Sequence, residues 1–332
     1  MAIYLHSDAA IWRGRVDGDE PDVLRWHQIM HCINLETDAL PVIGSKHQGV
    51  AFIGFCSDEG VRRNEGRVGA MQAPRFIREA CKNFPLIASH IVLADVGDIV
   101  CDDGDLETAQ QALGKLVAQV KAANYLPIVL GGGHETAWAN FLGIQPDKPK
   151  QEMGVINFDA HFDLRQPGEK GISSGTGFWQ MLQWCRETKH PFHYLVLGIQ
   201  QYSNTKRLFT TADDAGCRYF LAEQFTNDQL EDIITAINGV IANSDVLQLS
   251  IDLDVFAACH APGVSAQSFN GIAPNSMFKR LLRHIILSGK VASVDIAEVN
   301  PAYDIDNRTA RLAAALIFDM VQAADMNAEY PG

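Results

Sequence analysis

The nonapeptide Asn157-Phe158-Asp159-Ala160-His161-Phe162-Asp163-Leu164-Arg165 sets two carboxylates and an imidazole at alternate positions. It follows a short apolar run, Met153 to Ile156, that reads as the end of a buried strand. In extended chain, residues i, i+2 and i+4 share a face, so Asp159, His161 and Asp163 point the same way. Burying that set is costly unless a cation compensates it; the plainer alternative is a solvated turn, where Asp is common. Two companion segments favour the cation. Leu126 to Leu130 is an apolar run ending in Gly131-Gly132-Gly133-His134-Glu135, and Val246 to Ile251 leads into Asp252-Leu253-Asp254, another i, i+2 pair of acids.

Three apolar strands therefore each deliver acids or histidines at their C-terminal ends, the edge at which open α/β sheets bind ligands. His134, Asp159, His161, Asp163, Asp252 and Asp254 are too many for one tetrahedral zinc. They suit two cations sharing carboxylates. Four carboxylates with two imidazoles are harder than a zinc-finger set and richer in nitrogen than usual magnesium or calcium sites. Manganese fits best, with zinc, iron or cobalt as substitutes. Two metals roughly 3.5–4 Å apart activate a water and polarise the group it attacks. The chemistry expected is hydrolysis.

The elements that must position these residues alternate along the chain. Strands are expected at Gly49 to Cys56, Ile91 to Val96, Leu126 to Leu130, Met153 to Ile156, His193 to Ile199, Cys217 to Leu221, Val246 to Ile251 and Val291 to Ile296. Helices are expected from Ala73, with Pro74 in the first turn, and over Leu106 to Ala123, Thr136 to Gly143 and Phe178 to Thr188. Further helices are expected near Asp228 to Ala242, Asn275 to Ser288 and Asp306 to Asp325. Residues 1–48 read as an N-terminal arm packed on the domain, with a substrate-site role for Trp12-Arg13-Gly14-Arg15 and Arg25-Trp26-His27 as the alternative. Ser57 to Ala70 reads as a polar, arginine-rich loop, and Gln145 to Glu152 as a polar stretch. Alternation of this kind predicts a mostly parallel sheet with helices on both faces. No linker interrupts it, so residues 49–332 are expected to form one domain.

The chain has 332 residues, 47% of them hydrophobic and 20% charged, with a formal charge of −13. Nucleic acid and anionic membranes demand basic patches, which that balance argues against. The seven cysteines are scattered and form no Cys-x-x-Cys, as expected of reduced thiols in a cytoplasmic protein. No run is long enough to span a membrane.

The ordered trio of Gly131-Gly132-Gly133-His134-Glu135, Asp159 to Asp163 and Ser250-Ile251-Asp252-Leu253-Asp254 resembles the ureohydrolase superfamily of arginases and agmatinases, from about Gly49 to the C-terminus. The resemblance implies a three-layer αβα sandwich around an eight-stranded, mostly parallel sheet, two Mn2+ per subunit, and a homo-oligomer. It also implies roles: His134 and Asp163 on one manganese, His161 and Asp254 on the other, Asp159 and Asp252 bridging. Within the superfamily the chain is most similar to the formiminoglutamase branch, through Asp163-Leu164-Arg165, Ser173-Ser174-Gly175-Thr176, Ile199-Gln200, Ser203-Asn204-Thr205 and Ala261-Pro262-Gly263-Val264-Ser265-Ala266. Two departures from arginase point the same way. Val255-Phe256-Ala257-Ala258 stands where Asp-Pro is usual after the last ligand pair, and Ser173 to Gly177 holds no histidine.

That branch hydrolyses N-formimino-L-glutamate to L-glutamate and formamide in histidine degradation. A substrate with two carboxylates needs cationic donors, and Arg is a planar two-pronged one. Arg165 is the expected clamp, with Arg63, Ser174 and Asn204 as further substrate-binding residues and Arg62 and Lys206 behind them. Glu298, following a strand, is expected to pair with the protonated amidine. Asp163 or a metal-bound water is expected to hand a proton to the departing amine. Glu135 reads either as a partner of His134 or as an acid at a helix start. The alternatives are a ureohydrolase acting on a cationic guanidino compound such as agmatine or guanidinobutyrate, a silent metal-binding relative, and a metal-dependent deacetylase.

Overall fold

Along Gln48–Cys56 successive side chains go to opposite sides: Val50 and Phe52 into one core cluster, Ala51, Ile53 and Phe55 into another. A strand buried on both faces belongs in the middle of a sheet covered twice. The computed structural model describes residues 3–145 and 151–329, without the side chains of 328 and 329; residues 146–150, within the polar stretch Gln145 to Glu152, lie outside the described residues.

The described strands are β1 (Ile3–Leu5), β2 (His31–Cys32), β3 (Gln48–Cys56), β4 (Ile91–Val100), β5 (Tyr125–Leu130), β6 (Met153–Phe158), β7 (His193–Ile199), β8 (Arg218–Leu221), β9 (Val246–Asp252) and β10 (Val291–Ala297). The helices are α1 (Trp26–Ile29), α2 (Glu59–Arg63), α3 (Ala73–Cys81), α4 (Leu106–Ala122), α5 (Thr136–Ile144), α6 (Gly177–Thr188), α7 (Lys206–Asp214), α8 (Leu230–Ala242), α9 (Ser276–Leu287) and α10 (Arg308–Glu329). All ten strands share one sheet, ordered β1-β4-β3-β5-β10-β9-β6-β7-β8, with β2 also on β4. Residues of α3, α8, α9 and α10 fill the core on one face, and residues of α4, α5, α6 and α7 fill it on the other. The result is a three-layer αβα sandwich.

The eight expected strands are all present and all parallel. The sheet is wider than eight strands because the first residues join it: β1 pairs antiparallel with β4, and β2 parallel with it. The distinctive residues of the arm are structural. Trp12 donates from Nε1 to Asp95 Oδ2 at 2.7 Å, and Trp26, fully buried, packs against Phe52, Phe84 and Phe318. Asp95 in turn binds the buried Arg78, so the arm is fastened to an ion pair inside the domain.

Chain order explains where the site must fall. After β5 the chain skips two places to β6, and β9 and β10 later fill the gap. Such a gap is where an open α/β sheet offers a crevice at its strand ends. The register levels those ends: Ile296 pairs with Leu130, Ala297 with Asp252, and Phe158 with Ile251.

Candidate metal centre and active-site cavity

Just past that level edge, β5 delivers His134, β6 delivers Asp159, His161 and Asp163, β9 delivers Asp252 and Asp254, and β10 delivers Glu298. The turn after β5 has room for nothing larger than glycine at position 132, where a Cβ would lie 1.6 Å from the Ser57 carbonyl oxygen. The tight turn brings the backbone N–H of His134 to Glu298 Oε1 at 2.9 Å. Asp163 and Glu298 have φ of +49° and +65°, a left-handed conformation that non-glycine residues rarely adopt. For Asp163 the gain is visible: its carbonyl accepts from Phe178 and Trp179 at the start of α6.

His134 Nδ1 lies 3.1 Å from Asp159 Oδ2, 3.0 Å from Asp163 Oδ2 and 3.1 Å from Asp252 Oδ2. His161 Nδ1 lies 3.0 Å from Asp254 Oδ2 and 3.6 Å from Asp159 Oδ1. Two ligand sets result: His134, Asp159, Asp163 and Asp252, then Asp159, His161 and Asp254. Asp159 belongs to both, while Asp252 groups with the first alone; its Oδ1 accepts from the backbone of Asp254 at 2.8 Å.

The donor chemistry fits cations better than protons. His134 Nδ1 is buried and makes no hydrogen bond of acceptable geometry, although three carboxylate oxygens surround it. One N–H satisfies at most one of them; a divalent ion satisfies all three and the ring nitrogen. Its other nitrogen is already fixed, with Nε2 2.8 Å from Ser250 Oγ, which donates to Asp295 Oδ1 at 2.5 Å. That chain keeps the hydrogen on Nε2 and leaves Nδ1 to bind, a common second layer behind a metal-bound histidine. The crowding shows in the acids. Burial, then the charges of Asp254 and Asp159, push Asp252 well above the ordinary carboxylate range. Asp159 is also lifted by burial, but the imidazoles of His134 and His161 beside it outweigh that and hold it low.

Above the centre is a cavity of about 290 Å³ whose walls include Arg67, Asp163, Arg165, Ser174, Ser265 and Glu298. Of the expected substrate-binding residues, Arg165 and Ser174 line this cavity. Arg165 is exposed, with no partner for its guanidinium among the described residues. Glu298 is buried, its Oε2 unpartnered, and its carboxyl is pushed well up by burial, then by Asp252, Glu135 and Asp254.

Two expected substrate residues are committed elsewhere. Arg63 does not line the cavity: it binds Glu59 at 2.8 Å and Glu107 at 2.8 Å and donates to the carbonyls of Gly104 and Ile172. Asn204 braces the central turn, accepting from Phe162 N and donating to the carbonyls of Ala160 and Gln200. Arg62 is likewise bound to Glu59, and Lys206 opens α7 without lining the cavity. Arg67 is a lining cation absent from the expected site residues. A signal existed: Glu59 sits three and four residues before Arg62 and Arg63, the spacing of helical ion pairs, and Arg67 has no such acid. Glu135 turns away from the His134 ring and accepts at Oε1 from Ser57 Oγ and Gly60 N, both at 3.0 Å.

Known proteins match both the fold and the chain. The arginase family matches residues 48–322. A formimidoylglutamase of Chromobacterium violaceum is 44% identical over 316 residues, covering 94% of this chain and 97% of its own. One of Aeromonas salmonicida is 41% identical over 320 residues, covering 95% and 98%. Among solved structures, a formimidoylglutamase of Bacillus subtilis superposes with a TM-score of 0.80 over 93% of this chain and 94% of its own, at 23% identity. A Trypanosoma cruzi formiminoglutamase solved with Mn2+ gives 0.72 over 84% and 94%, at 25% identity. With a buried cluster of His and Asp able to hold metal ions at the strand ends, a cavity above it and near full-length kinship, the chain belongs to the arginase family of hydrolases.

Proposed function

We propose that the protein hydrolyses N-formimino-L-glutamate to L-glutamate and formamide, as a step of histidine degradation, with two Mn2+ held by His134, Asp159, His161, Asp163, Asp252 and Asp254. The observation that carries the choice of substrate is Arg165, a guanidinium on the wall of the cavity that forms no ion pair among the described residues. A pocket for agmatine would need a carboxylate there; a carboxylate substrate needs this cation. The names of the relatives support the same reading.

When bound, the ion pair supplies an activated water and polarises the carbon it attacks. The chain's own residues do the rest. Glu298, buried with Oε2 free, receives the amidinium nitrogens, and that positive charge offsets the cost of a buried carboxylate. Arg165 and Ser174 hold the substrate's polar end. Asp163 lines the cavity, its carboxyl raised by burial and then by Asp159, and is the side-chain candidate for passing a proton to the departing amine. A cytoplasmic setting, supported by seven cysteines without a disulfide, and assembly into a homo-oligomer are parts of the same proposal.

The test is a substrate panel on manganese-loaded protein. Formamide from formiminoglutamate, with no urea from arginine, agmatine or guanidinobutyrate, is the expected result. Urea from any of the three would overturn the substrate assignment and leave the metal centre standing.

A further inference from the structure

Arg67 shares the cavity wall with Arg165, and its surroundings are unlike those of its neighbours in sequence. Arg62 and Arg63 are neutralised by Glu59 and Glu107. Glu65, which also lines the cavity, pairs with Lys170 at 2.7 Å instead of with Arg67. Arg67 meets no carboxylate among the described residues. It donates from Nε to Ser265 O at 2.9 Å and from Nη2 to Val264 O at 2.5 Å, and its guanidinium lies 4.4 Å from the centre of the Tyr303 ring. Nη1 has no partner.

The segment does not need that side chain to stay in place. The backbone N–H of Arg67 donates to Ser265 Oγ at 2.8 Å, and Asn300 Nδ2 donates to the carbonyls of Arg67 and Val68 at 2.8 and 3.2 Å. Asn300 is two residues beyond Glu298, so the loop is tied to the strand end that carries the amidine partner. A half-buried cation, stacked and oriented, with one edge free and no acid to neutralise it, is preorganised for an anion. Once two divalent ions offset the aspartates on the floor, two unpaired arginines dominate the mouth.

We propose that Arg67 is a specificity-determining residue that binds the substrate carboxylate Arg165 does not, making the cavity selective for a dicarboxylate. The assignment rests on the formiminoglutamate reading above, and its test is built to fail separately. Calorimetry on the manganese-loaded protein would compare L-glutamate, which has both carboxylates, with 4-aminobutyrate and 2-aminobutyrate, which each lack one. Wild type should bind glutamate about tenfold or more tightly than either. In Arg67→Gln the advantage over one of the two monocarboxylates should vanish, and Arg67→Lys should recover part of it. In turnover, Arg67→Gln should raise KM for formiminoglutamate about tenfold with kcat nearly kept.

A uniform loss for all three ligands would mean that Arg67 only latches the loop, and unchanged glutamate binding would remove any role; either overturns the proposal. Thermal melting and manganese content identify a misfolded variant, for which Arg67→Lys supplies the comparison. If wild type releases no formamide yet loses its dicarboxylate preference with Arg67→Gln, the clamp stands and the reaction falls.

Discussion

Glu298 and Asp163 sit in the left-handed region of backbone space, a conformation that costs roughly 1–3 kcal/mol for a residue with a side chain. Both line the cavity, Asp163 with its carbonyl turned to the start of α6 and Glu298 with Oε1 on the backbone N–H of His134. Glu298→Gln keeps the size and the acceptor for His134 N but removes the charge. It should lower kcat/KM for formiminoglutamate by about a hundredfold or more, as expected for a lost electrostatic partner in a desolvated site. Elemental analysis should find manganese content unchanged, and full activity would remove Glu298 from the mechanism. Glu135 makes a different prediction. Burial pushes its carboxyl up to about 7 from an ordinary 4.5. The folded state therefore holds a proton that the unfolded chain releases at lower pH, so this stability is full below 4.5 and is lost as pH rises through 7. In metal-stripped protein, Glu135→Gln should become more stable than wild type across that window, by up to roughly 3 kcal/mol by urea unfolding. A gap that does not change with pH would show that Glu135 does not titrate there.

At the level of elements, the candidate ligands were legible because each follows an apolar strand, and the strand ends lie level to within a residue. What escaped notice lacks such a pattern. α7 is nine residues long and fully buries only Leu208 and Ala212, with Phe209 half-buried against Phe162, so its apolar stripe is too short to stand out. β1 and β2, of three and two residues, exist only because the edge of β4 is there to pair with. α2 hides inside a glycine-punctuated segment, and missing it made Arg63 look free when its helical neighbour Glu59 already held it. Where a strong local signal is present, a graded effect should follow. Asn275 caps α9 by accepting from Met277 and Phe278 at 3.0 and 3.2 Å. Asn275→Ala should cost about 1 kcal/mol in chemical unfolding and leave kcat untouched. A loss of turnover would mean that α9 does more than cover one face of the sheet.

For the molecule as a whole, a chain of net charge −13 concentrates four aspartates in one centre, where a cation would offset their mutual repulsion. Removing metal with a chelator should lower the melting temperature, and added Mn2+ should restore it, by about 2.7 kcal/mol for each site at a hundredfold excess over Kd. A melt insensitive to both would separate the cluster from metal binding. The order of strands carries one more consequence. β5 and β6 emerge early during synthesis, but β9 and β10, which must lie between them, come last. A nascent chain halted before Val246 therefore carries His134, Asp159, His161 and Asp163 on strands that do not touch. Neither group of candidate ligands is complete until Asp252 and Asp254 have been made, so an assembled cluster reports that the final strands have slid home.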